Sequence, residues 1–270
     1  MGKTELRVGS LGDAVDLLQR KLKRAGVPVS ETALYDEQTQ EAVRTFQASV
    51  GLVVDGIAGS KTLAALDSRQ VAPHHLRDVD LVAAAATLDV EVAAIRAVNE
   101  VESRGEGFLP DGRPVILFER HEFWKRLVVH GIDPQRIAGA MPNVLSQQRG
   151  GYLGGAAEYV RLSSALRVCK VAAWESASWG AFQIMGYHWE RLGYADAEAF
   201  VRAMDESEGT QLDAFCRFLQ ADPSLLAALA QRQWASFAKL YNGAGYAANL
   251  YDVKLARAYA RYCAQAKAVA

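Results

Sequence analysis

Apolar residues spaced three and four positions apart recur along most of this 270-residue chain. Such spacing places side chains on one face of an α-helix, because the helix turns once about every 3.6 residues. A short apolar run at residues 115–118 follows a cluster of turn-forming residues and predicts a strand instead. We therefore expect a mainly α fold with a small β element.

Three helical patterns lie within residues 1–68. The first follows a capping-box-like pair, Ser10 and Asp13. The second ends before Gly51, and the third, which is short, begins after Ser60. These patterns predict a domain of three short helices that share one small core.

Residues 69–79 separate this domain from the remainder of the chain, residues 80–270. The segment lacks a sustained apolar period and contains Pro73, which disfavours helix, so we interpret it as a linker. Its adjacent histidines, His74 and His75, have no supporting His or Cys pattern elsewhere in the sequence. The sequence therefore predicts two domains, and it predicts neither a metal site nor a cofactor.

Composition and charge limit the partners and the compartment. The net charge of −1 at pH 7 provides no global attraction to nucleic acid, which is not expected as a partner. The cysteines at 169, 216 and 263 lack disulfide or metal spacing and are predicted to be reduced thiols. The first ten residues lack the apolar core of an export signal, and no stretch offers the roughly 20 apolar residues of a spanning helix. We expect a monomer that is made in the cytoplasm, without stable membrane insertion.

Glu102 is a carboxylate that the helical period directs inward. A helix that starts near Asp89 carries Ile95 and Val98 on its apolar face, and Glu102 continues that face. Glu100 lies roughly 200° away around the helix and should face elsewhere. Burial in an apolar cleft would raise the pKa of Glu102 and keep it protonated as a general acid. A glutamate held in a salt bridge at the helix end is the alternative that periodicity leaves open.

Two later segments contain groups suited to binding a sugar. Residues 178–186 predict a glycine-flanked turn that enters a helix and presents the amide of Gln183. Residues 241–246 follow a helical pattern, so Tyr241 and Asn242 should lie at a helix end. Each segment alone is weak evidence, and their order along the chain is the stronger signal.

The first domain resembles a known family over nearly its whole length. It is similar to the three-helix peptidoglycan-binding domain of many wall hydrolases, through the motifs Leu6-Arg7-x-Gly9, Val15-x-x-Leu18-Gln19-x-x-Leu22, Thr39-x-x-Ala42-Val43-x-x-Phe46-Gln47 and Gly51-Leu52-x-x-Asp55-Gly56-x-x-Gly59-x-x-Thr62. We predict Gln19 and Gln47 to be surface or capping glutamines rather than ligand contacts. Asp36, Arg44 and Asp55 are the candidates for wall binding.

The second domain resembles the lysozyme-like superfamily. The order Glu102-Ser103, then Gly-x-x-Gln-Ile-Met, then Tyr-Asn-Gly is similar to that of goose-type lysozymes and lytic transglycosylases. A closer resemblance is to the N-acetylmuramidase domain of modular bacteriophage endolysins, through Val101-Glu102-Ser103, Gly107-Phe108-Leu109-Pro110, Ile116-Leu117-Phe118-Glu119-Arg120-His121, Ser178-Trp179-Gly180 and Tyr241-Asn242-Gly243. This resemblance implies that Glu102 is the catalytic acid. It also implies a glycan cleft lined by Gln183, Tyr241 and Asn242, with Ser178 and Trp179 as further candidates for sugar contacts.

Together the resemblances imply a phage endolysin. Such a protein hydrolyses the β-1,4 bond between N-acetylmuramic acid and N-acetylglucosamine in peptidoglycan and lyses the host. It would stay in the host cytoplasm until another phage protein disrupts the membrane, and it would then reach the periplasm and cell wall. A lytic transglycosylase and a non-catalytic wall-binding virion protein are the alternatives. A cysteine peptidase that pairs Cys169 or Cys216 with His188 is a third, although no local motif activates a thiol.

A second catalytic carboxylate is not evident. No aspartate stands at an obvious position equivalent to the partner carboxylate of hen-type lysozyme. Glu119 is either an auxiliary catalytic group or a structural ion-pair partner, and Glu175 is a rival acid. Without the separation of the carboxyl groups, retention or inversion at the sugar stays open.

The C-terminal helical pattern carries a basic stripe of Lys254, Arg257 and Arg261. A solvated helix face is one interpretation, and a stripe attracted to the membrane or wall is the other.

Overall fold

The computed structural model describes residues 5–103 and 106–269. Contacts divide the chain into two units, with the division between Ala83 and Ala84. The predicted linker, residues 69–79, lies before this division, and part of it packs within the N-terminal unit. Leu76 is buried there, and Arg77 forms an isolated antiparallel bridge with Leu52. The sequence-based boundaries themselves stay a prediction.

The N-terminal unit contains the three predicted helices, α1 (Asp13–Arg24), α2 (Glu37–Val50) and α3 (Ser60–Ser68). Ser10 does not cap α1, contrary to expectation. Gly12 precedes the helix with a φ of 98°, and the Ser10 hydroxyl instead accepts a hydrogen bond from the Arg7 amide. The apolar faces of the three helices form one core, which includes Val15, Leu18, Leu22, Tyr35, Val43, Phe46 and Leu66.

Two buried glutamines, one on α1 and one on α2, make equivalent hydrogen bonds to the helix that follows each of them. Gln19 and Gln47 are 0% and 1% exposed, so the expected surface or capping positions were wrong. The amide nitrogen of Gln19 donates to the hydroxyl of Thr39, and that of Gln47 donates to the hydroxyl of Thr62. Their oxygens accept amide hydrogens from the intervening loops, including that of Gly56. Each glutamine therefore ties one helix to the first turn of the next, and it leaves the loop amides paired.

The C-terminal unit is also mainly helical, which confirms the predicted fold class. Helix α4 (Asp78–Leu88) contains the division point, and the helices after it are α5 (Val92–Glu102), α6 (Arg120–Val129), α7 (Gln135–Ala138), α8 (Glu158–Leu166), α9 (Lys170–Glu175), α10 (Ala197–Glu206), α11 (Glu208–Gln220), α12 (Pro223–Ala230), α13 (Trp234–Asn242) and α14 (Tyr251–Val269). Short 3-10 helices occur at Gly155–Ala157, Gly186–His188 and Ala244–Asn249. No helix in the described ranges is both long and apolar enough to cross a membrane.

The β element is an antiparallel sheet of β1 (Ile116–Phe118), β2 (Ala177–Trp179) and β3 (Ile184–Met185), in that order. Leu117 pairs with Ser178, which pairs in turn with Met185. Residues 178–186 are therefore a hairpin, and the predicted turn entering a helix was wrong. The hairpin turns through positive φ angles at Gly180 (72°) and Gln183 (52°), which local sequence patterns do not reveal for a glutamine.

The side chain of Gln211, on α11, holds this hairpin in place. It is 1% exposed, its oxygen accepts a hydrogen bond from the Ala181 amide, and its nitrogen donates to the carbonyl of Met204. A Cβ at Gly180 would lie only 2.5 Å from the Gln211 amide carbon, so glycine permits this close approach. The hairpin turn is thus fixed by a residue of α11 that lies about 30 positions later in the sequence.

Helix α5 carries Glu102 as its last residue. Glu91 rather than Asp89 precedes its first turn, because Asp89 adopts a left-handed conformation with a φ of 51°. Ile95 and Val98 are buried as predicted. The helix ends at Glu102, and the next residue, Ser103, is extended with a ψ of 138°.

Candidate active site

Glu102 lines a cavity of about 320 Å³. Four parts of the C-terminal unit enclose this space, namely the end of α5, the β2–β3 hairpin with the 3-10 helix after it, α11, and the adjoining ends of α13 and α14. The lining residues are Glu102, Phe182, Gln183, Ile184, Met185, His188, Phe218, Tyr241, Asn242 and Tyr251.

The surroundings of the Glu102 carboxyl shift its pKa upward. Burial raises its pKa above the ordinary value, and this outweighs a hydrogen bond from Asn242 and the charge of Lys254, both of which lower it. The Asn242 amide nitrogen donates to Oε1 over 2.9 Å. No ion pair joins Glu102 to any residue that the structure describes, so the salt-bridge alternative has no support. A protonated carboxyl on a cavity wall is suited to general-acid catalysis.

Glu100 faces away from the cavity, as its position on the helix predicts. Its carboxylate accepts a hydrogen bond from the Tyr262 hydroxyl over 2.8 Å and pairs with Arg261. Both partners lie on α14, so Glu100 ties α5 to that helix. Two glutamates in one helical turn therefore have different surroundings.

Tyr241 and Asn242 lie at the end of α13, as predicted, and Gly243 follows with a φ of 75°. The Tyr241 hydroxyl donates to the carbonyl of Phe182 over 3.1 Å, and its ring stacks against Phe237. Burial raises the pKa of Tyr241, and the neighbouring charge of Glu102 acts in the same direction. Tyr241 thus connects α13 to the hairpin, and it fixes the position of the next residue, Asn242, which contacts Glu102.

Gln183 lines the cavity, but its amide is used within the hairpin. Its nitrogen donates to the Gly180 carbonyl over 2.9 Å, and its oxygen accepts from the Ser178 hydroxyl over 3.0 Å. Ser178 is buried and is not among the lining residues. The structure therefore gives this pair a role in shaping the cavity wall.

Trp179 does not fit the predicted sugar contact. Its side chain is 3% exposed, and its indole nitrogen donates to the Trp174 carbonyl over 3.1 Å. Stacking on a sugar requires an exposed ring face, which this conformation lacks. The aromatic residues that line the cavity are Phe182, His188, Phe218, Tyr241 and Tyr251.

The two auxiliary carboxylates lie elsewhere. Glu119 accepts hydrogen bonds from the Tyr152 hydroxyl at 2.8 and 3.0 Å, and it lies 3.2 Å from a ring nitrogen of His121. Neither Glu119 nor Glu175 lines the cavity around Glu102. The structure thus does not bring them to the candidate site.

Glu175 has a partner on each oxygen. His130 lies 2.8 Å from one, and the Trp189 indole donates to the other over 3.0 Å. With both oxygens engaged in a buried cluster, this rival acid has no route to a glycosidic oxygen in the described conformation.

Three lining residues had not been singled out as parts of a glycan site. His188 had been considered only as a partner for a cysteine, and Phe218 and Tyr251 lie in ordinary helical patterns.

Cys216 is buried, and burial raises the pKa of its thiol to about 12. A thiol in that state is a poor nucleophile at neutral pH. The peptidase alternative therefore has no support at Cys216.

The wall-binding candidates all have contacts within the N-terminal unit. Asp36 caps α2 by accepting the Thr39 amide and hydroxyl at 2.8 and 2.9 Å, which lowers its pKa. Asp55 accepts from the side chain of Gln47 over 2.7 Å. Arg44 lies 3.4 Å from Glu41. No wall contact has been tested, so the three stay candidates.

The basic stripe is not a uniform free surface. Arg261 pairs with Glu100, and the ammonium of Lys254 lies 5.5 Å from the ring centre of Tyr251, a cavity residue. Arg257 is exposed. Two of the three cations therefore act on α5 or the cavity.

Comparisons with known proteins agree with this geometry. A sequence model of the N-acetylmuramidase family matches residues 91–263, and one of a putative peptidoglycan-binding domain matches residues 12–66. The chain is similar to a solved structure, the Burkholderia AP3 phage endolysin, at 53% identity and a TM-score of 0.93, over 96% of this chain and 99% of that one. No curated protein sequence matches the chain. The chain therefore belongs to the N-acetylmuramidase family and carries a peptidoglycan-binding domain before its muramidase domain.

Proposed function

We propose that Glu102 is the proton donor with which this glycoside hydrolase cleaves the β-1,4 bond between N-acetylmuramic acid and N-acetylglucosamine. The observation that carries the proposal is the raised pKa of this carboxyl on the wall of a cavity of about 320 Å³. Cleavage requires a proton for the departing oxygen, and a carboxyl with a raised pKa retains one at higher pH than an ordinary glutamate.

Three neighbours support this role. Asn242 fixes the orientation of the Glu102 carboxyl through Oε1, which leaves the other oxygen to face the substrate. Tyr241 fixes the end of α13 from which Asn242 projects. Gln183 shapes the opposite wall through the hairpin turn. Positioning by fixed groups of this kind removes the entropy cost of aligning acid and bond.

The biological setting is that of a phage endolysin, on the likeness to the AP3 phage protein. Peptidoglycan is the substrate, and the N-terminal domain would keep the enzyme on it. We further propose that the protein acts as a monomer and remains in the host cytoplasm until another phage protein disrupts the membrane. Light scattering and fractionation of infected cells test these two points.

The experiment compares the wild type with Glu102→Ala on isolated peptidoglycan, recording turbidity and mass-resolved products. We expect reducing muramic acid ends from the wild type and none from the variant. Products with 1,6-anhydromuramic ends would make the enzyme a transglycosylase, in which the muramyl 6-hydroxyl replaces water. Full activity in the variant would overturn the assignment of the acid. Wall binding without any product from the wild type would indicate a non-catalytic wall-binding protein.

A further inference from the structure

Hydrolysis requires a proton acceptor as well as a donor. While the acid protonates the leaving oxygen, the attacking water must lose a proton, and inverting glycosidases use a second carboxylate roughly 6.5 to 9.5 Å from the first. Among the described residues that line the cavity, Glu102 is the only carboxylate. Another group must therefore accept the proton if water attacks directly.

His188 is the lining residue whose hydrogen-bonding capacity is least used. The Gln183 amide and the Tyr241 hydroxyl bond to the protein, and the Asn242 amide bonds to Glu102. Neither ring nitrogen of His188 has a hydrogen-bond partner among the residues that the structure describes. The Tyr251 hydroxyl also borders the cavity, but a neutral phenol is a much weaker base than an imidazole.

Aromatic contacts hold the His188 ring without using its nitrogens. The ring centre lies 4.4 Å from that of Tyr187 and 5.2 Å from that of Phe218, which meets it edge-on. The 3-10 helix Gly186–His188 follows β3 directly, so the hairpin that shapes the cavity also positions this residue. The imidazole is therefore oriented but free to contact water.

Burial and nearby cations favour the neutral form of this imidazole. Burial, together with Arg191 and Arg126, lowers the pKa of His188 to about 4. The Arg191 guanidinium lies over the Phe218 ring, and that of Arg126, on α6, lies over the Tyr187 ring. The Glu102 carboxyl, whose pKa is raised by burial, lines the same cavity. A neutral imidazole carries one unprotonated nitrogen that can accept a proton.

We propose that His188 is the catalytic base that activates the attacking water in the reaction assigned above to Glu102. A ring nitrogen of His188 takes one proton from water as the water oxygen forms a bond to C1 of the muramic acid. The bond from C1 to the glycosidic oxygen breaks, and that oxygen takes the proton of Glu102. The imidazolium then releases its proton to solvent, and Glu102 regains one. This single displacement inverts C1, so the first product is the α-anomer.

This inference rests on the proposed function, and two variants separate them. Glu102→Gln removes the acid, and His188→Asn removes the base while keeping a polar side chain of similar reach. His130→Asn is the matched control, because His130 lies outside the cavity on Glu175. The substrate is a soluble tetrasaccharide from peptidoglycan, so that wall binding does not affect the rate.

We expect His188→Asn to lose about 100-fold or more in kcat, since general-base catalysis contributes about 10²–10⁴-fold. Azide should restore turnover in this variant and yield an α-glycosyl azide, because azide attacks C1 without needing a base. Azide should not restore Glu102→Gln, which still lacks the acid, and the control should retain its activity. A purely structural role of His188 would not produce azide rescue.

Several results would overturn the proposal. These are His188→Asn with kcat within about threefold of the wild type, a folded but inactive variant that yields no glycosyl azide, or a wild-type product that appears first as the β-anomer. Activity retained in Glu102→Gln would overturn the proposed function instead.

Discussion

Polar side chains are buried in both units of this chain, but their surroundings differ. In the N-terminal unit, Gln19 and Gln47 are buried with their amide groups bonded to loops and to the next helix. In the C-terminal unit, Glu102 is partly buried, it accepts a hydrogen bond from Asn242, and burial raises its pKa. A satisfied buried amide stabilises a fold, whereas a carboxyl deprived of water keeps its proton to a higher pH and can serve as an acid. Burial alone therefore does not distinguish a structural polar residue from a reactive one.

The largest effect that this comparison predicts is at Glu102. Glu102→Gln should lower kcat at least 10²-fold through loss of the proton. Its thermal unfolding should stay near that of the wild type, because burial already disfavours the charged form. Glu100→Gln, two residues away, is the control and should retain catalysis, since Glu100 bonds to α14 instead. Equal losses of activity in the two variants would remove the distinction between them.

Gln47→Ala should lower the stability of the protein and leave catalysis unchanged. It leaves the Gly56 amide without its buried acceptor, which costs about 2 kcal/mol in the free energy of unfolding. Turnover of a soluble tetrasaccharide should be unchanged, because that reaction takes place in the other unit. Denaturant unfolding measures the loss, and Gln38→Ala, exposed on the same helix, is the control. A Gln47→Ala variant as stable as this control would contradict the structural role.

Asn242→Ala should lower kcat/KM by about tenfold, on the scale of one positioning hydrogen bond. The bond from Asn242 lowers the pKa of Glu102, so its removal raises that pKa further. The carboxyl then keeps its proton to higher pH, and the basic limb of the pH profile moves upward. A downward shift would mean that Asn242 does not act on the charged form.

Lys254→Met should produce the smallest effect, a slight further rise in the pKa of Glu102. The charge of Lys254 lowers the pKa of Glu102, but Lys254 is exposed and its field is screened by salt. We expect a small upward shift of the basic limb that disappears at high ionic strength. Arg257→Met, an exposed cation on the same helix, should cause none, and an equal shift there would make the effect nonspecific.

Local patterns predicted the helices of this chain better than its site. The spacing around Ile95 and Val98 placed Glu102 correctly, because that inference needs only the helical period. The same period puts Gln19 and Gln47 on the buried faces of α1 and α2, but both were expected at the surface or at a cap because their side chains are polar. The hairpin at residues 178–186 depends on a positive φ and on Gln211, which lies far away in sequence.

The cavity itself depends on contacts between distant parts of the chain. Phe218 and Tyr251 reach Glu102 only through the packing of α11 and α14. Trp179 lies within a family motif but is buried, because its indole packs inside the unit and donates to the Trp174 carbonyl. Such assignments require tertiary structure.

The most direct test is a titration of the Glu102 carboxyl itself. Carbon-13 NMR of glutamate-labelled protein, with the signal assigned by its absence in Glu102→Gln, gives the pKa without assuming a mechanism. We predict a midpoint above the ordinary value of 4.5, because burial outweighs Asn242 and Lys254. A midpoint at or below that value would contradict the claim that this cavity holds a proton ready for the glycosidic bond.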